Sequence, residues 1–304
     1  MFNSTHTFVS LAIAKTGFDE WVPYAAVTAA IAGNLPDIEI FSGLSSTASY
    51  LEHHRGITHT FVGVPALALL LASAMYFFSG NFWKTYVVAL IAMSVHPVLD
   101  YANTYGVRPF LPFNGKWYYG DLLFIFDPYI DVVLVLGLMA GAYFNRRKLM
   151  AWLSLVAVIA YIGARVELRS LAGAHMEKSD GEWAVFPTVL NPFIWEGIVG
   201  TKTEWVKLRV HSLHGIEGEI THTPRGSFSE IEKRAAATYS AAVLLRFARF
   251  PFVRTEKTNT GYRVKFIDFR FYNEKSQTGL SAEVLLDRSL NVTNENISFI
   301  RSID

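Results

Sequence analysis

Four long stretches of the chain carry almost no polar side chain: 61–79, 83–99, 128–144 and 149–164. A bilayer span takes about 20 mostly apolar residues, because every backbone polar group must be satisfied within a helix rising about 1.5 Å per residue. The first stretch is an uncharged run of 19 residues, and the second runs from an aromatic and Lys84 to His96 and Asp100. The third is stopped by Arg146, Arg147 and Lys148, and the fourth is closed by Arg165. Two shorter runs, 7–14 and 24–33, fall short of a span and predict a helical hairpin packed against the other helices. The pattern therefore predicts an α-helical membrane bundle of about four spanning helices plus a short N-terminal helical hairpin.

Beyond residue 180 the character changes. Runs of strand length at 193–201, 204–211, 261–271 and 282–286 mix β-branched and aromatic residues. Between them, 228–250 reads as one amphipathic helix with Ser229 at its cap and alanines 235–237 as strong helix formers. A smaller α+β soluble domain is the economical reading. The organisation expected is a membrane-embedded helical domain at 1–166, a linker at 167–180 and an α+β extramembrane domain at 181–304. Aromatics in Asn191-Pro192-Phe193-Ile194-Trp195 suit a turn at the membrane interface.

Charge sharpens the division. Overall 17% of residues are charged, but the fraction is about 11% in 1–166 and about 25% afterwards, the soluble average. With 27 basic against 26 acidic side chains there is no basic surplus for a nucleic-acid face, so no nucleic-acid partner is expected. The absence of cysteine excludes disulfides, thiolate nucleophiles and Cys-type zinc sites. The start Met-Phe-Asn-Ser-Thr-His lacks the basic region of a secretory signal, which leaves targeting to the first helices. Placing Lys84 and the Arg146 cluster inside puts 34–60, 100–127 and everything after Arg165 outside, although Arg55, Arg108 and Lys116 then lie outside as well.

The ionisable residues of the apolar half are sorted. His6, Asp37, His53, His54, His59, His96, Asp100, Asp127 and Asp131 all fall at one end of the predicted bundle, and Lys15, Lys84 and the Arg146 cluster fall at the other. Charged groups in an apolar region are costly and point to function. His96 and Asp100 are four apart on a helix and share a face, and imidazole with carboxylate is a standard ligand set for zinc or a similar ion. Asp127 and Asp131 repeat that spacing at a helix start, where carboxylates suit the dipole. His54 and His59 are five apart, but Gly56 allows a turn that aims both inward, and Arg55 offers a planar fork for a phosphate or carboxylate. Blander readings exist: Asp37 after Pro36 as a turn residue, Asp127 before Pro128 as an N-cap. Asp131, one turn into an apolar helix, is harder to dismiss. His211, His214 and His222 read as exposed strand and loop residues, and Arg246 and Arg249 as a solvated helix face.

At these residues the sequence resembles a known family. Asn34-Leu35-Pro36-Asp37-Ile38-Glu39, His54-Arg55-Gly56-Ile57-Thr58-His59, His96-Pro97-Val98-Leu99-Asp100, Tyr119-Gly120-Asp121 and Phe126-Asp127-Pro128 are similar to the bacterial membrane-bound metal-dependent hydrolases of the YdjM and YbcI type, over about residues 1–165. The resemblance implies an inner-membrane location, a hydrolytic reaction class and a metal site of His6, Asp37, His54, His59, His96 and Asp100, with Asp127 as a further candidate. Glu39 stands where that family often has a second aspartate. The order of histidines and aspartates is also similar, more weakly, to zinc-dependent phospholipase C and S1/P1-type nucleases, whose amino-terminal tryptophan ligand this chain lacks.

The resulting expectation is a multi-pass inner-membrane hydrolase with one or two divalent metal ions, zinc first among them, facing the extracytoplasmic side together with the C-terminal domain. A metal-activated water would attack, Glu39, Asp127 or Asp131 would accept its proton, and Arg55 would stabilise an anionic transition state. A site at headgroup depth would meet membrane lipid, so the expected substrate is a phosphoester of a lipid or lipid-linked molecule. The rivals are a cation or proton transporter using the same cluster, and a binding module whose metal merely staples the helices. An intramembrane metalloprotease ranks low, because His-Glu-x-x-His is absent.

Overall fold

The computed structural model describes residues 1–176, 181–274 and 279–300; positions 177–180 of the expected linker lie outside the described residues. The N-terminal half is helical. Helix α1 (Asn3–Ile13) runs through a π-helical turn (Ala14–Phe18) into the short α2 (Asp19–Trp21), and α3 (Ala25–Asn34) returns alongside α1 as the expected hairpin. Gly33 sets that closeness: a Cβ there would lie 2.1 Å from Ser10 Oγ and 2.9 Å from the His6 carbonyl oxygen. A 3-10 stretch (Leu35–Leu44) leads to α4 (Thr47–His53), whose Ser46 cap accepts from the Ser49 N–H at 3.0 Å. After a 3-10 turn (Ile57–His59) come α5 (Gly63–Ser79), α6 (Phe82–Tyr101), α7 (Pro128–Tyr143) and α8 (Arg147–Met176). Alanines make the seam of α3 against α6, with Ala25, Ala29 and Ala32 in one core with Ala89 and Ala92. Small residues let apolar helices approach where no hydrophobic drive separates helix from lipid.

Among the described residues two helices, α6 and α8, are long and apolar enough to cross a membrane. A third span exists if Thr47–His59 and α5, bent by 76° at their junction, count as one. The expected count of about four is thus met only in part, and the reason is geometric. The uncharged run 61–79 yields 17 helical residues, because Thr60 is extended and the chain turns before Gly63. Helix α7 has 16 residues, about 24 Å at the α-helical rise, against a hydrocarbon core of about 30 Å.

The C-terminal part carries two antiparallel sheets. Strands β1 (Glu182–Pro187), β2 (Ile194–Gly200), β3 (Glu204–His211) and β4 (Gly215–Pro224) form the first, in that order. Helices α9 (Glu230–Ala236) and α10 (Tyr239–Phe247) follow, then β5 (Pro251–Lys257), β6 (Gly261–Asp268), β7 (Gly279–Asp287) and β8 (Val292–Ile300) form the second. Phe186, Ile198 and Trp205 of one sheet share a core with Phe252 and Ile267 of the other, joined by Phe250 and Phe269. The single helix expected over 228–250 is two, because Thr238 takes an extended conformation between them. Its first turn carries a capping box between Ser229 and Glu232.

The division at 166/167 falls inside α8, which continues to Met176. Ala172 and Met176 pack on Val185, Trp195 and Val210 of the first sheet. In the other direction, Ala48 and Leu51 of α4 belong to the core of the second sheet, with Leu244, Leu280, Val284 and Ile297. Asp121, of the Tyr119-Gly120-Asp121 motif, accepts two hydrogen bonds from Arg249 Nη1 at 2.8 and 2.9 Å. Helical and α/β parts therefore meet across shared apolar cores and a half-buried ion pair.

Candidate metal centre

Four elements deliver the site. The 3-10 stretch after α3 carries Asp37 and Glu39, and the loop after α4 carries Arg55. The turn Ile57–His59 supplies His59, and the last turns of α6 supply His96 and Asp100. Arg55 adopts φ 50°, a conformation that turns the chain sharply between His54 and Gly56. A Cβ on Gly56 would stand 2.5 Å from the His53 carbonyl oxygen, so the turn requires glycine there.

Asp37, His59, His96 and Asp100 each offer an atom within 4.8 Å of the others. His59 Nε2 lies 3.1 Å from His96 Nε2, 3.6 Å from Asp37 Oδ1 and 3.5 Å from Asp100 Oδ2. His96 Nε2 lies 3.4 Å from Asp37 Oδ1 and 3.6 Å from Asp100 Oδ2. Three of the four are sealed, and the Asp37 side chain is 24% exposed. Among the described residues this is the group of histidines and carboxylates able to hold an ion.

The hydrogen bonds behind the imidazoles fix their tautomers. His96 Nδ1 is 2.6 Å from the Gly33 carbonyl oxygen, so Nδ1 carries the proton and Nε2 is a lone pair. Thr58 Oγ1 donates to Glu39 Oε2 at 2.7 Å, which leaves it an acceptor for His59 Nδ1 at 3.0 Å. His59 Nε2 is then a lone pair as well. Two lone pairs 3.1 Å apart, flanked by two carboxylates, repel one another unless a cation or an extra proton lies between them. The backing of each imidazole by a carbonyl or a carboxylate-bound hydroxyl is the outer arrangement typical of metal-bound histidine. The donor set fits a divalent ion such as zinc. Burial alone would raise the Asp37 carboxyl; with no cation in the site, protons on the imidazoles of His59 and His96 outweigh it and hold it below the usual carboxylate range.

The other expected site residues fall around this centre or away from it. His6 stacks on His96 with ring centroids 3.7 Å apart, and its Nε2 is 3.4 Å from Asp100 Oδ1. Both its ring nitrogens are buried without a hydrogen bond, so it can turn a donor toward the cluster. Asp100 Oδ1 also meets the Met1 amino nitrogen. His54 is outside the four: its Nδ1 faces Glu39 Oε1 at 3.3 Å and its ring leans on Tyr50. His53 bonds back to the Ser49 carbonyl at the surface. Glu39 accepts from the backbone N–H of Arg55 and of Gly56 and from Thr58 Oγ1, which makes it the clamp of the loop. Arg55 is buried, with Nε 2.9 Å from Asp100 Oδ2 and Nη1 shared among the Asp100 carbonyl, Asn103 Oδ1 and the Gly106 carbonyl.

Asp127 and Asp131 lie elsewhere. Asp127 caps α7, accepting from the Tyr129 and Ile130 N–H groups and from Tyr161 Oη at 3.0 Å. Asp131 accepts from Thr5 Oγ1 at 2.6 Å and Ser4 Oγ at 3.2 Å, tying α7 to α1. Both carboxylates are spent on holding helices. Asn103, wholly buried between Arg55 and the Tyr105 N–H, escaped sequence reasoning, since an uncharged amide in a loop gives no spacing signal. The rings of His211 and His214 meet tilted at 34°, and His222 pairs with Glu219 at the surface.

An apolar helical bundle closed at one end by a His/Asp cluster defines a membrane protein with a candidate metal site. The chain belongs to the YdjM inner membrane protein family, whose model matches residues 1–171. A second model, the YfhP C-terminal alpha/beta plait domain, matches residues 230–304. The chain is similar to the uncharacterized protein YfhP of Bacillus subtilis (strain 168), 24% identical over 316 residues that cover 99% of this chain and 96% of that protein. No solved structure matches.

Proposed function

We propose that the protein is a metal-dependent hydrolase of the bacterial inner membrane acting on a phosphoester of a lipid or lipid-linked molecule. The observation that carries this reading is the facing pair of imidazole Nε2 atoms, 3.1 Å apart between two carboxylates, one of them open to solvent. Asp37, His59, His96 and Asp100 would hold one divalent ion, zinc in this reading, and His6 stands ready to take part in a second. Such an ion supplies Lewis acidity, lowering the pKa of water toward ~7 and polarising the scissile bond.

The chain's own residues do the rest. Arg55, anchored on Asp100 and three oxygen acceptors, keeps a guanidinium beside the cluster where phosphoryl charge develops. Glu39 holds that loop and positions His59. Asp37, the solvent-facing carboxylate, would take the proton of the attacking water through the oxygen not committed to the ion and return it to the departing alcohol oxygen as the P–O bond breaks. In this reading α5, α6, α7 and α8 all cross the membrane, with α5 and α7 as short spans, and the site and the α/β domain face outward.

Elemental analysis of purified wild type beside His59→Ala and Asp100→Ala tests the centre. Losing an outer partner alone costs roughly 10–100-fold in metal affinity, so each variant is expected to lose at least that much. Full occupancy in both would remove the proposed site. Hydrolysis of phosphomono- and phosphodiester lipids, abolished by the same substitutions, is the expected companion result; turnover unaffected by either would refute the assigned roles.

A further inference from the structure

Asp37 opens into a cavity of about 320 Å³, at the lower end of the ~300–1,000 Å³ typical of small-molecule sites. Asp37, Glu39, His54 and Arg55 make its polar side. Much of the remaining lining is apolar and comes from both parts of the protein: Phe2 and Leu51 from the helical part, Leu280 of β7 and Ile297 of β8 from the α/β domain. Leu280 and Ile297 are only 3% and 1% exposed, so they form an inner wall rather than a rim.

That wall is rigidly placed. Leu280 and Ile297 share their core with Ala48 and Leu51 of α4, the helix that leads into the His54–His59 loop. Tyr105, also on the cavity, packs against Phe271 and Phe247 with ring centroids 4.8 and 5.9 Å away, and Arg55 lies 5.5 Å over its ring. The α/β domain thus reaches the site twice, through Leu280 and Ile297 on the cavity and through Phe247 and Phe271 behind Tyr105, the aromatic under Arg55. A cavity with a cationic and carboxylate side and an aliphatic wall matches an amphiphile. Inorganic phosphate or a sugar phosphate would leave the exposed apolar lining, Phe2 and Ile40, without an apolar partner.

We infer that the α/β domain supplies the specificity wall of the site, with Leu280 and Ile297 holding the apolar group of a phosphoester whose phosphoryl end lies toward Asp37 and Arg55. The inference rests on the hydrolase reading for the reaction, though not for binding. It is tested by photolabelling full-length protein with an octyl phosphonate carrying a diazirine at the end of its chain, a probe that is not hydrolysed. Label is expected on the peptides of β7 (Gly279–Asp287) or β8 (Val292–Ile300), displaced by octyl phosphate and not by inorganic phosphate. Leu280→Trp and Ile297→Trp, which overfill the cavity lining, should lower the label per folded protein by roughly tenfold, the scale of a misfit in an apolar pocket, with bound metal retained and the thermal midpoint lowered by the strained core. Leu280→Ala, which leaves a hole and lowers the midpoint as well, should shift competition toward longer alkyl phosphates.

Label confined to membrane helices, or displaced equally well by inorganic phosphate, overturns the wall. So does alkyl phosphate turnover whose chain-length preference ignores all three substitutions. Labelling that behaves as expected in a protein without turnover sinks the hydrolase reading and leaves the wall standing.

Discussion

Glu39 has its two carboxylate oxygens occupied by the donors of one loop, and this decides what it can do. From the sequence it is an acidic residue in a metal-binding motif, a candidate proton acceptor. In the structure it stitches Arg55, Gly56 and Thr58 together and orients His59 through Thr58. Burial alone would raise its carboxyl; the hydrogen bonds of His54 and His59 outweigh that and hold it below the ordinary value of 4.5. A carboxyl depressed on folding adds stability that is complete above its ordinary value and is lost as pH falls through 4.5 toward the folded value. Glu39→Gln is expected to cost about 1.5–3 kcal/mol at neutral pH, the worth of a hydrogen bond to a charged group. The gap between wild type and variant should narrow from pH 6 to pH 4 in thermal unfolding of the metal-free protein. A constant gap would mean that the charge of Glu39 is not what holds the loop. The four clustered residues, by contrast, were legible as types sorted to one end of the bundle. Asp127 and Asp131 carried the same signature, because linear spacing sees a carboxylate at a helix start and not the N–H and hydroxyl donors that already occupy it.

Helices were legible where apolar runs were long, and their ends were not. Helix α8 shows why. The hydropathy run stops at Arg165, yet the helix continues to Met176, since the guanidinium finds partners that a sequence cannot display. Its Nε donates to the Leu122 carbonyl at 2.9 Å, Nη1 donates to the Pro192 carbonyl, and the group lies 4.2 Å over the Trp195 ring. Arg165→Met keeps the aliphatic bulk and removes these bonds, leaving carbonyls unmet at the junction of α8 with the first sheet. The expected loss is about 2–3 kcal/mol, read as a lower thermal midpoint with metal content retained. Wild-type stability in this variant would show that apolar packing of Ala172 and Met176 alone secures the junction. Strands followed the same logic. The runs expected at 193–201, 204–211, 261–271 and 282–286 fall on the inner β2, β3, β6 and β7, while the outer β1, β4, β5 and β8 went unread although Trp183, Val185, Phe186, Phe252 and Val253 carry the same residue types. In β4 and β8, Glu217, Glu219, Asn294 and Glu295 sit where an edge meets solvent, and charge there blunts edge-to-edge pairing.

Taken whole, the molecule is less divided than its composition. An apolar and an ordinary half suggested a membrane domain joined by a linker to a free soluble one. Instead, α8 enters the first sheet, α4 enters the core of the second, and Arg249 holds Asp121 across the junction. The opposite end of the bundle keeps Lys84 over Trp21 and Lys148 beside Gly17, so the sorting of charge persists in space. The proposed topology sets those lysines on the cytoplasmic side and would put the α/β domain outside. A carboxy-terminal alkaline phosphatase fusion is expected to be active and a matching fluorescent protein fusion dark; the reverse pattern would invert the topology.

The core shared by α4 with β7 and β8 also constrains how the protein is made. Ala48 and Leu51 are synthesised long before Ile297, which shares their core. The helices can be inserted before then, but the loop bearing His54 to His59 has its apolar support only when β7 and β8 have been made and have folded against α4. The order of synthesis thereby delays the finished centre until β8 is in place, so a chain halted midway would carry the ligands without the cavity beside them.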